Sequence, residues 1–223
     1  MFKEVLTSIK PTKLFFVLII FEVALAISYL YSSQILPTSS ITHWVNLDEE
    51  KNIPAIFSSL QLIFVGVVLI KIRAISPKVT AIGFLYVIGW LFIFLGIDEG
   101  LQIHERITRY FKHIDWLPRF EGDHGAWVLP YVLLAFVIFL LSIGSIINLL
   151  KNETKHSLMM GSGVLILLVS ALGLEVASYL YIRGQDLPDI YYILQVATEE
   201  LGEMVGVSIV LCSALDLLQK RRL

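Results

Sequence analysis

A short acidic stretch after a long apolar run carries the residues best suited to chemistry in this chain. Asp98 and Glu99 close the run, and His104 and Glu105 come a few positions later. Carboxylates combined with a histidine are typical ligands of Zn, Fe or Mn. The stretch therefore predicts a divalent-metal site, with the identity of the metal left open.

Further carboxylates lie inside later apolar runs, with Glu175 in one run and Glu199 and Glu203 in another. An ionisable side chain at membrane depth is costly and by default marks function. Carboxylates packed together without matching Lys or Arg cannot all stay charged, so they hold protons or a cation. We predict Glu199 and Glu203 as candidate catalytic groups. The candidate metal ligands are Asp98, Glu99, His104, Glu105, Glu175, Glu199 and Glu203.

The composition is that of a polytopic membrane protein. Of the 223 residues, 57% are hydrophobic and 16% are charged, whereas a soluble domain carries about 25% charged residues. A net charge of −2, without a long block of Lys or Arg, excludes a nucleic-acid-binding stripe and leaves membrane lipid as the expected partner. The single cysteine, Cys212, cannot form an internal disulfide or a Cys-rich zinc site.

Six apolar runs are long enough to cross a bilayer, which takes about 20 residues. These runs lie at residues 14–31, 53–72, 79–97, 127–150, 158–182 and 190–217. The predicted fold is therefore all-α, a bundle of six transmembrane helices that forms a single transmembrane domain over residues 1–223. The first run has an alternative, since Ala24-Leu25-Ala26 has the form of a signal-peptide cleavage site. Glu22 would interrupt a signal core, which favours a retained span.

The distribution of Lys and Arg predicts that both termini are cytoplasmic. With six spans, eleven of the seventeen basic residues fall on the side of the termini, and cytoplasmic connectors carry the excess of positive charge. In the external third connector, Tyr110 and Phe111 mix with Arg106 and Arg109. That mixture predicts a helix lying along the membrane surface.

Smaller features of the sequence predict how the helices begin and pack. Asn52 is a good N-cap for the second span, and Pro54 is tolerated in a first helical turn. Glycines of spans five and six, such as Gly161, Gly163 and Gly206, permit close helix contact.

The predicted topology brings carboxylates from three spans to one level. Span three runs outward and carries Asp98 and Glu99 to the outer boundary of the membrane. Span five also runs outward and places Glu175 about one to two turns below that boundary, by the helical rise. Span six runs inward and places Glu199 roughly 14 Å along its axis, with Glu203 one turn deeper. We therefore predict one carboxylate cluster in the outer half of the bundle.

Helical phase separates the groups of the acidic stretch. On an unbroken helix Asp98 and Glu105 share a face and His104 points the other way. A site that uses both Asp98 and His104 therefore needs a kink, for which Gly100 is the candidate.

A polar seam between spans five and six is also predicted. Gln195, Glu199 and Glu203 form one stripe on span six, and Glu175 and Ser178 share a face of span five. If these faces meet, their side chains form hydrogen bonds between the spans.

Each of these residues also has a simpler interpretation. Asp98 and Glu99 suit the polar end of a membrane helix, and His104 suits a structural histidine at the interface. Three acids of the first connector are expected to be solvated: Asp48, Glu49 and Glu50. Four polar residues of the first two spans are further candidates for the seam: Glu22, Ser58, Ser59 and Gln61.

Two stretches together resemble a group of uncharacterised bacterial multi-pass membrane proteins. The first is Asp48-x-Glu50-x-Asn52-Ile53-Pro54, which runs into Ser58-Ser59. The second is Asp98-Glu99 with the later Ile103-His104-Glu105. The resemblance covers most of the chain and implies the topology and a bacterial inner-membrane setting. It implies no activity, and it marks Glu50 and Asn52 as rim residues of the same outer site.

Three functions fit these features. The first is a metal-dependent enzyme that acts on a lipid or another apolar substrate, with bound water as nucleophile or dioxygen as oxidant. The second is a transporter or channel coupled to protons or cations. The third is a non-catalytic sensor or assembly partner whose polar seam specifies helix pairing.

Overall fold

The computed structural model is a bundle of long helices. It describes residues 9–36, 39–75, 83–111, 114, 125–183, 185 and 187–221. The helices are α1 (Pro11–Ile35), α2 (Ser40–Val45), α3 (Ile53–Ile75), α4 (Phe84–Leu101), α5 (Ile103–Phe111), α6 (Val128–Asn152), α7 (Thr154–Leu168), α8 (Glu175–Tyr181) and α9 (Asp189–Lys220). A π-helical segment, Val169–Leu174, joins α7 to α8. The predicted all-α class is confirmed.

Six helical stretches of the described chain are long and apolar enough to cross a membrane. They are α1, α3, α4, α6, the continuous stretch from α7 to α8, and α9. The predicted six-span membrane bundle is thus confirmed. The third span begins at Phe84, and its predicted start at residue 79 lies outside the described residues. The helix predicted in the third connector is α5.

Both ends of the described chain lie at the same end of the bundle. The Gln219 side-chain amide donates a hydrogen bond to the carbonyl of Ile9 at 2.7 Å, as an even number of spans requires. We call this the basic end. The opposite end, which holds helix α5 and the described residues of the connectors, 36, 39–52, 182–183, 185 and 187–188, is the acidic end. That the basic end faces the cytoplasm stays a prediction.

Helix α9 forms the centre of the bundle and α6 lies at its edge. In their most apolar windows, 67% of α9 is buried and only 11% of α6. Leu215, Leu217 and Leu218 of α9 are completely buried. Because α9 packs against α1, α3 and α7, it positions the polar groups of several spans at once.

At the basic end, a cluster of charged side chains surrounds Glu153, which lies between α6 and α7. Its carboxylate accepts hydrogen bonds from Lys220 at 2.7 Å and Arg221 at 2.8 Å. The ring of His156 lies 3.2 Å away. Burial alone would raise the pKa of Glu153, but the bond and charge of Lys220 and the charge of Arg221 hold it below its ordinary value of 4.5. These contacts tie the end of α9 to the turn between α6 and α7.

Helices α7 and α9 approach most closely where two glycines face each other. A Cβ on Gly163 would lie 2.6 Å from the carbonyl oxygen of Gly206, and one on Gly206 would lie 2.7 Å from that of Gly163. The predicted close contact is therefore confirmed for this pair. For Gly161 it is wrong, because a Cβ there would meet nothing within 4 Å.

We expect Gly163→Ala to destabilise the protein by about 1–3 kcal/mol, because the added methyl group forces the two backbones apart. Gly161→Ala is the matched control on the same helix. It should be neutral or stabilising by up to about 1 kcal/mol, since alanine favours helix. Denaturant unfolding in one detergent measures both variants. Equal stability of the two would contradict this packing.

Candidate functional site: an acidic cavity at one end of the bundle

A break in the helix after span three brings Asp98 and His104 together. Helix α4 ends at Leu101 because Gln102 adopts a left-handed conformation with φ of 56°. The backbone N–H of His104 then donates to Asp98 Oδ1 at 2.7 Å, and the ring Nδ1 lies 3.3 Å from the same oxygen. The predicted divergence of these two side chains is therefore wrong. A kink is present as required, but it lies at Gln102 and not at Gly100.

Asp98 also joins the break to α6. The hydroxyl of Tyr131 donates to Asp98 Oδ2 at 2.9 Å. The ring of His104 packs edge-on against Trp127, with centroids 5.5 Å apart. Asp98 is buried, with 5% of its surface exposed, so it acts as the joint of α4, α5 and α6.

The first connector contributes Glu50 to the same site. Its Oε1 lies 3.8 Å from His104 Nε2, and 18% of its side chain is exposed. Asn52 holds the connector in place, because its side-chain oxygen accepts from Ala55 N at 3.2 Å and its amide donates to the His43 carbonyl at 3.2 Å. The predicted N-cap is thus confirmed.

Of the three acids expected to be solvated, Glu50 is the exception. Glu49 is half exposed and pairs with His43, and Asp48 is exposed. Burial raises the pKa of Glu50 to about 7; the charge of His104 opposes this increase, and the charges of Glu105, Glu99 and Asp98 add to it. Burial alone would lower the pKa of His104, but its hydrogen bond to Asp98 and the surrounding carboxylates raise it above 6.5.

Span five presents Glu175 beside a base that the sequence did not suggest. Arg183 lies 3.5 Å from the Glu175 carboxylate and donates to the Tyr179 hydroxyl at 2.6 Å. Its guanidinium also stacks over the rings of Tyr179 and Tyr192, at 4.4 and 5.3 Å from their centroids. Arg183 stands in a connector, eight residues after Glu175, so the sequence indicated only its side of the membrane.

The π-helical segment directly precedes Glu175. Such segments inside α-helices are uncommon and often lie at functional sites. Each adds a residue to a turn and rotates everything that follows, so Val169–Leu174 sets the direction in which α8 presents Glu175.

The polar seam between spans five and six is present. The hydroxyl of Ser178 donates to Gln195 Oε1 at 2.9 Å, and the amide of Gln195 donates to the Glu199 carboxylate. The seam is therefore formed through a serine and a glutamine, with Glu199 at its deeper end.

All seven candidate ligands predicted from the sequence line one cavity of about 570 Å³. Asp48, Glu49, Glu50 and Glu200 also line it. The rest of the wall is largely apolar, with residues such as Phe94 of α4, Leu134 of α6 and Leu168 of α7. The cavity thus combines a large acidic surface with a hydrocarbon surface, between the edge helix α6 and the centre of the bundle.

The structure also bears on the predicted metal ligands and on the predicted members of the polar seam. In the part of the chain that the structure describes, no three His, Cys, Asp or Glu side chains are placed to hold one metal ion. Glu22 and Gln61, candidates for the seam, instead bond to each other and to Ser208, and they are absent from the residues that line the cavity.

Comparison with known proteins identifies a family. A family described as a domain of unknown function (DUF8692) matches residues 14–218. No curated protein and no solved structure matches the chain.

Proposed function

For this chain, which belongs to the DUF8692 family, we propose that the acidic cavity binds an organic cation with an apolar body. The observation that carries the proposal is the gathering of carboxylates from separate segments around one cavity. A site of this kind suits a transporter or channel coupled to protons or cations, which is the second function considered from the sequence.

The balance of charge supports a positively charged ligand. Ten acidic side chains line the cavity, against His104, Arg109 and Arg183 among the described lining residues. His104 interacts with Asp98 and Glu50, and Arg183 interacts with Glu175. Three of these acids, Asp48, Glu49 and Glu105, are exposed to solvent. Three bases cannot neutralise the seven others at low dielectric, so protons or a bound cation must supply the remaining positive charge.

The size and walls of the cavity support an organic cation. Small-molecule sites commonly have volumes of about 300–1,000 Å³ and are mostly apolar, with a few polar groups that orient the ligand. A cavity of about 570 Å³ is far larger than a single ion needs. Its apolar wall suits the body of such a ligand, and its carboxylates suit the charged part.

Two ions of the same shape and opposite charge test the proposal. Tetraphenylphosphonium should bind the protein in nanodiscs of neutral lipid, measured by equilibrium dialysis against empty nanodiscs, and tetraphenylborate should not. Glu199→Gln should weaken the binding at least about tenfold, which is 1.4 kcal/mol. Asp189→Asn, on the same helix but exposed and outside the cavity, is the control. Equal binding of both ions, or of wild type and Glu199→Gln, would overturn the proposal.

A metal-dependent enzyme is the second candidate, and the position of His104 favours it. Its Nδ1 lies 3.3 Å from Asp98 and its Nε2 lies 3.8 Å from Glu50. Histidine and carboxylates are the ligand types of Zn, Fe or Mn, but no three of them in the described residues are placed around one ion, so this candidate requires them to rearrange on binding. Glu199 and Glu203 would then act on a lipid or another apolar substrate. This candidate requires a stoichiometric metal in the purified protein that His104→Ala removes, and a metal-free wild type after reconstitution with these ions would reject it.

A further inference from the structure

A second polar site lies at the centre of the bundle, away from the acidic cavity. Glu22 is in the middle of α1, eleven residues after Pro11 and thirteen before Ile35. Its surface is completely buried. A carboxyl group at this depth of a membrane-spanning helix is costly unless its charge is removed or balanced.

Three side chains from three spans form a closed triangle of hydrogen bonds at this site. Gln61 of α3 donates from Nε2 to Glu22 Oε1 at 2.9 Å and to Ser208 Oγ at 2.7 Å. Ser208 of α9 donates to the same Glu22 oxygen at 2.6 Å. Both donors to Glu22 are neutral groups, an amide and a hydroxyl.

Two oxygens of the triangle are buried without a hydrogen-bond partner in the described structure, Glu22 Oε2 and Gln61 Oε1. A carboxylate with one oxygen unpartnered in an apolar interior costs far more than a neutral acid in the same place. A metal cation does not fit, because the triangle offers it only these two free oxygens, whereas metal ions in proteins take four or more ligands. A proton removes the charge without needing further ligands.

We propose that Glu22, Gln61 and Ser208 form a proton-binding site in the core of the bundle, with the proton on Glu22. The site is distinct from the cavity. Ser208 lies nine residues after Glu199, which places it about 180° away on α9 by the helical period. The proposal therefore does not depend on what the cavity binds.

Among the described residues, the side chains that interact with Glu22 are uncharged at neutral pH. The groups that bond to Glu22 from α3 and α9 are the amide of Gln61 and the hydroxyl of Ser208. Cys212, one turn beyond Ser208 on α9, is a titratable side chain that interacts with Glu22. A neutral Glu22 keeps α1, α3 and α9 together at this point, since a charged one would draw water into the contact.

Infrared difference spectroscopy of the full chain in nanodiscs at neutral pH tests the site. Subtracting Glu22→Gln from wild type should show the loss of one carboxylic-acid C=O band per chain, with the carboxylate bands unchanged. Asp189→Asn, which removes an exposed acid, should change only the carboxylate bands. Loss of a carboxylate band in Glu22→Gln, with or without sodium in the buffer, would overturn the proposal.

A second variant keeps the test decisive if Glu22→Gln does not fold. Ser208→Ala retains the acid and removes one of the two hydrogen bonds to Glu22 Oε1. The C=O band of Glu22 should then shift to higher frequency, because a carbonyl with fewer hydrogen bonds has a stronger C=O bond. A C=O region identical to that of wild type would also overturn the proposal.

Discussion

Replacing Glu50 with glutamine is expected to stabilise the protein at neutral and alkaline pH, by about 2–3 kcal/mol. Burial raises the pKa of Glu50 from 4.5 to about 7 in the folded protein. Between these two values the folded chain binds a proton that the unfolded chain has lost. The free energy of unfolding of wild type therefore falls as the pH rises from 4.5 to about 7, and then stays level.

The variant Glu50→Gln should lose this dependence on pH, and its advantage over wild type should vanish below pH 4.5. Unfolding by denaturant across this pH range measures the effect. Glu49→Gln removes the same charge from the neighbouring residue, whose side chain is 48% exposed, and should change stability by less than about 0.5 kcal/mol. If Glu50→Gln follows the wild-type profile, Glu50 is not desolvated in the folded protein.

Replacing Asp98 with alanine is expected to destabilise the protein by about 2–4 kcal/mol. The carboxylate accepts from the backbone and ring of His104 and from the hydroxyl of Tyr131. Alanine would leave these donors without their acceptor in a buried place. Because Asp98 joins α4, α5 and α6, its loss should also release His104 from the cavity wall.

Two comparisons make the Asp98 result specific. Asp98→Asn keeps an acceptor for the His104 N–H and should cost less than Asp98→Ala. Glu105→Ala removes an exposed acid of the same cavity and should cost under about 0.5 kcal/mol. Thermal unfolding of the three variants in one detergent decides the order. A cost for Asp98→Ala no larger than that for Glu105→Ala would contradict the role of the joint.

The number of spans and the clustering of the acidic residues could be predicted from the sequence, because both follow from regular periodicity. Apolar runs give the number of spans, and a fixed rise per residue gives the level that Glu175 and Glu199 reach in each span. The structure places both around the same cavity as Asp98. The N-cap at Asn52 was also readable, since it depends only on local backbone geometry.

The break at Gln102 was not accessible in the same way. Glycine is the usual residue with positive φ, so Gly100 was the natural candidate. Instead the left-handed conformation occurs at Gln102, where the side chain of Asp98 then bonds to the start of the next helix. One residue in the left-handed conformation changes the direction of every side chain after it, and the helical period of the sequence does not show where such a residue lies.

Contacts between segments that are distant in the sequence also could not be predicted from it. The pattern of charges predicted a solvated Glu50, whereas the resemblance marked it as a rim residue of the outer site. Only the structure shows its contact with His104. Glu22 and Gln61 are 39 positions apart, and Glu22 and Ser208 are 186 apart. Such pairings depend on which helices become neighbours in the bundle, and hydropathy does not carry that information.

The central position of α9 has a consequence for how the protein is made. Helix α9 follows every helix that it packs against, so synthesis from the N-terminus delivers α1, α3 and α7 to the membrane before their common partner. Until then Glu22 lacks Ser208, and Gly163 faces no Gly206. Helices α3 and α4 already pack closely against each other, and the arrival of α9 is the step that completes the bundle.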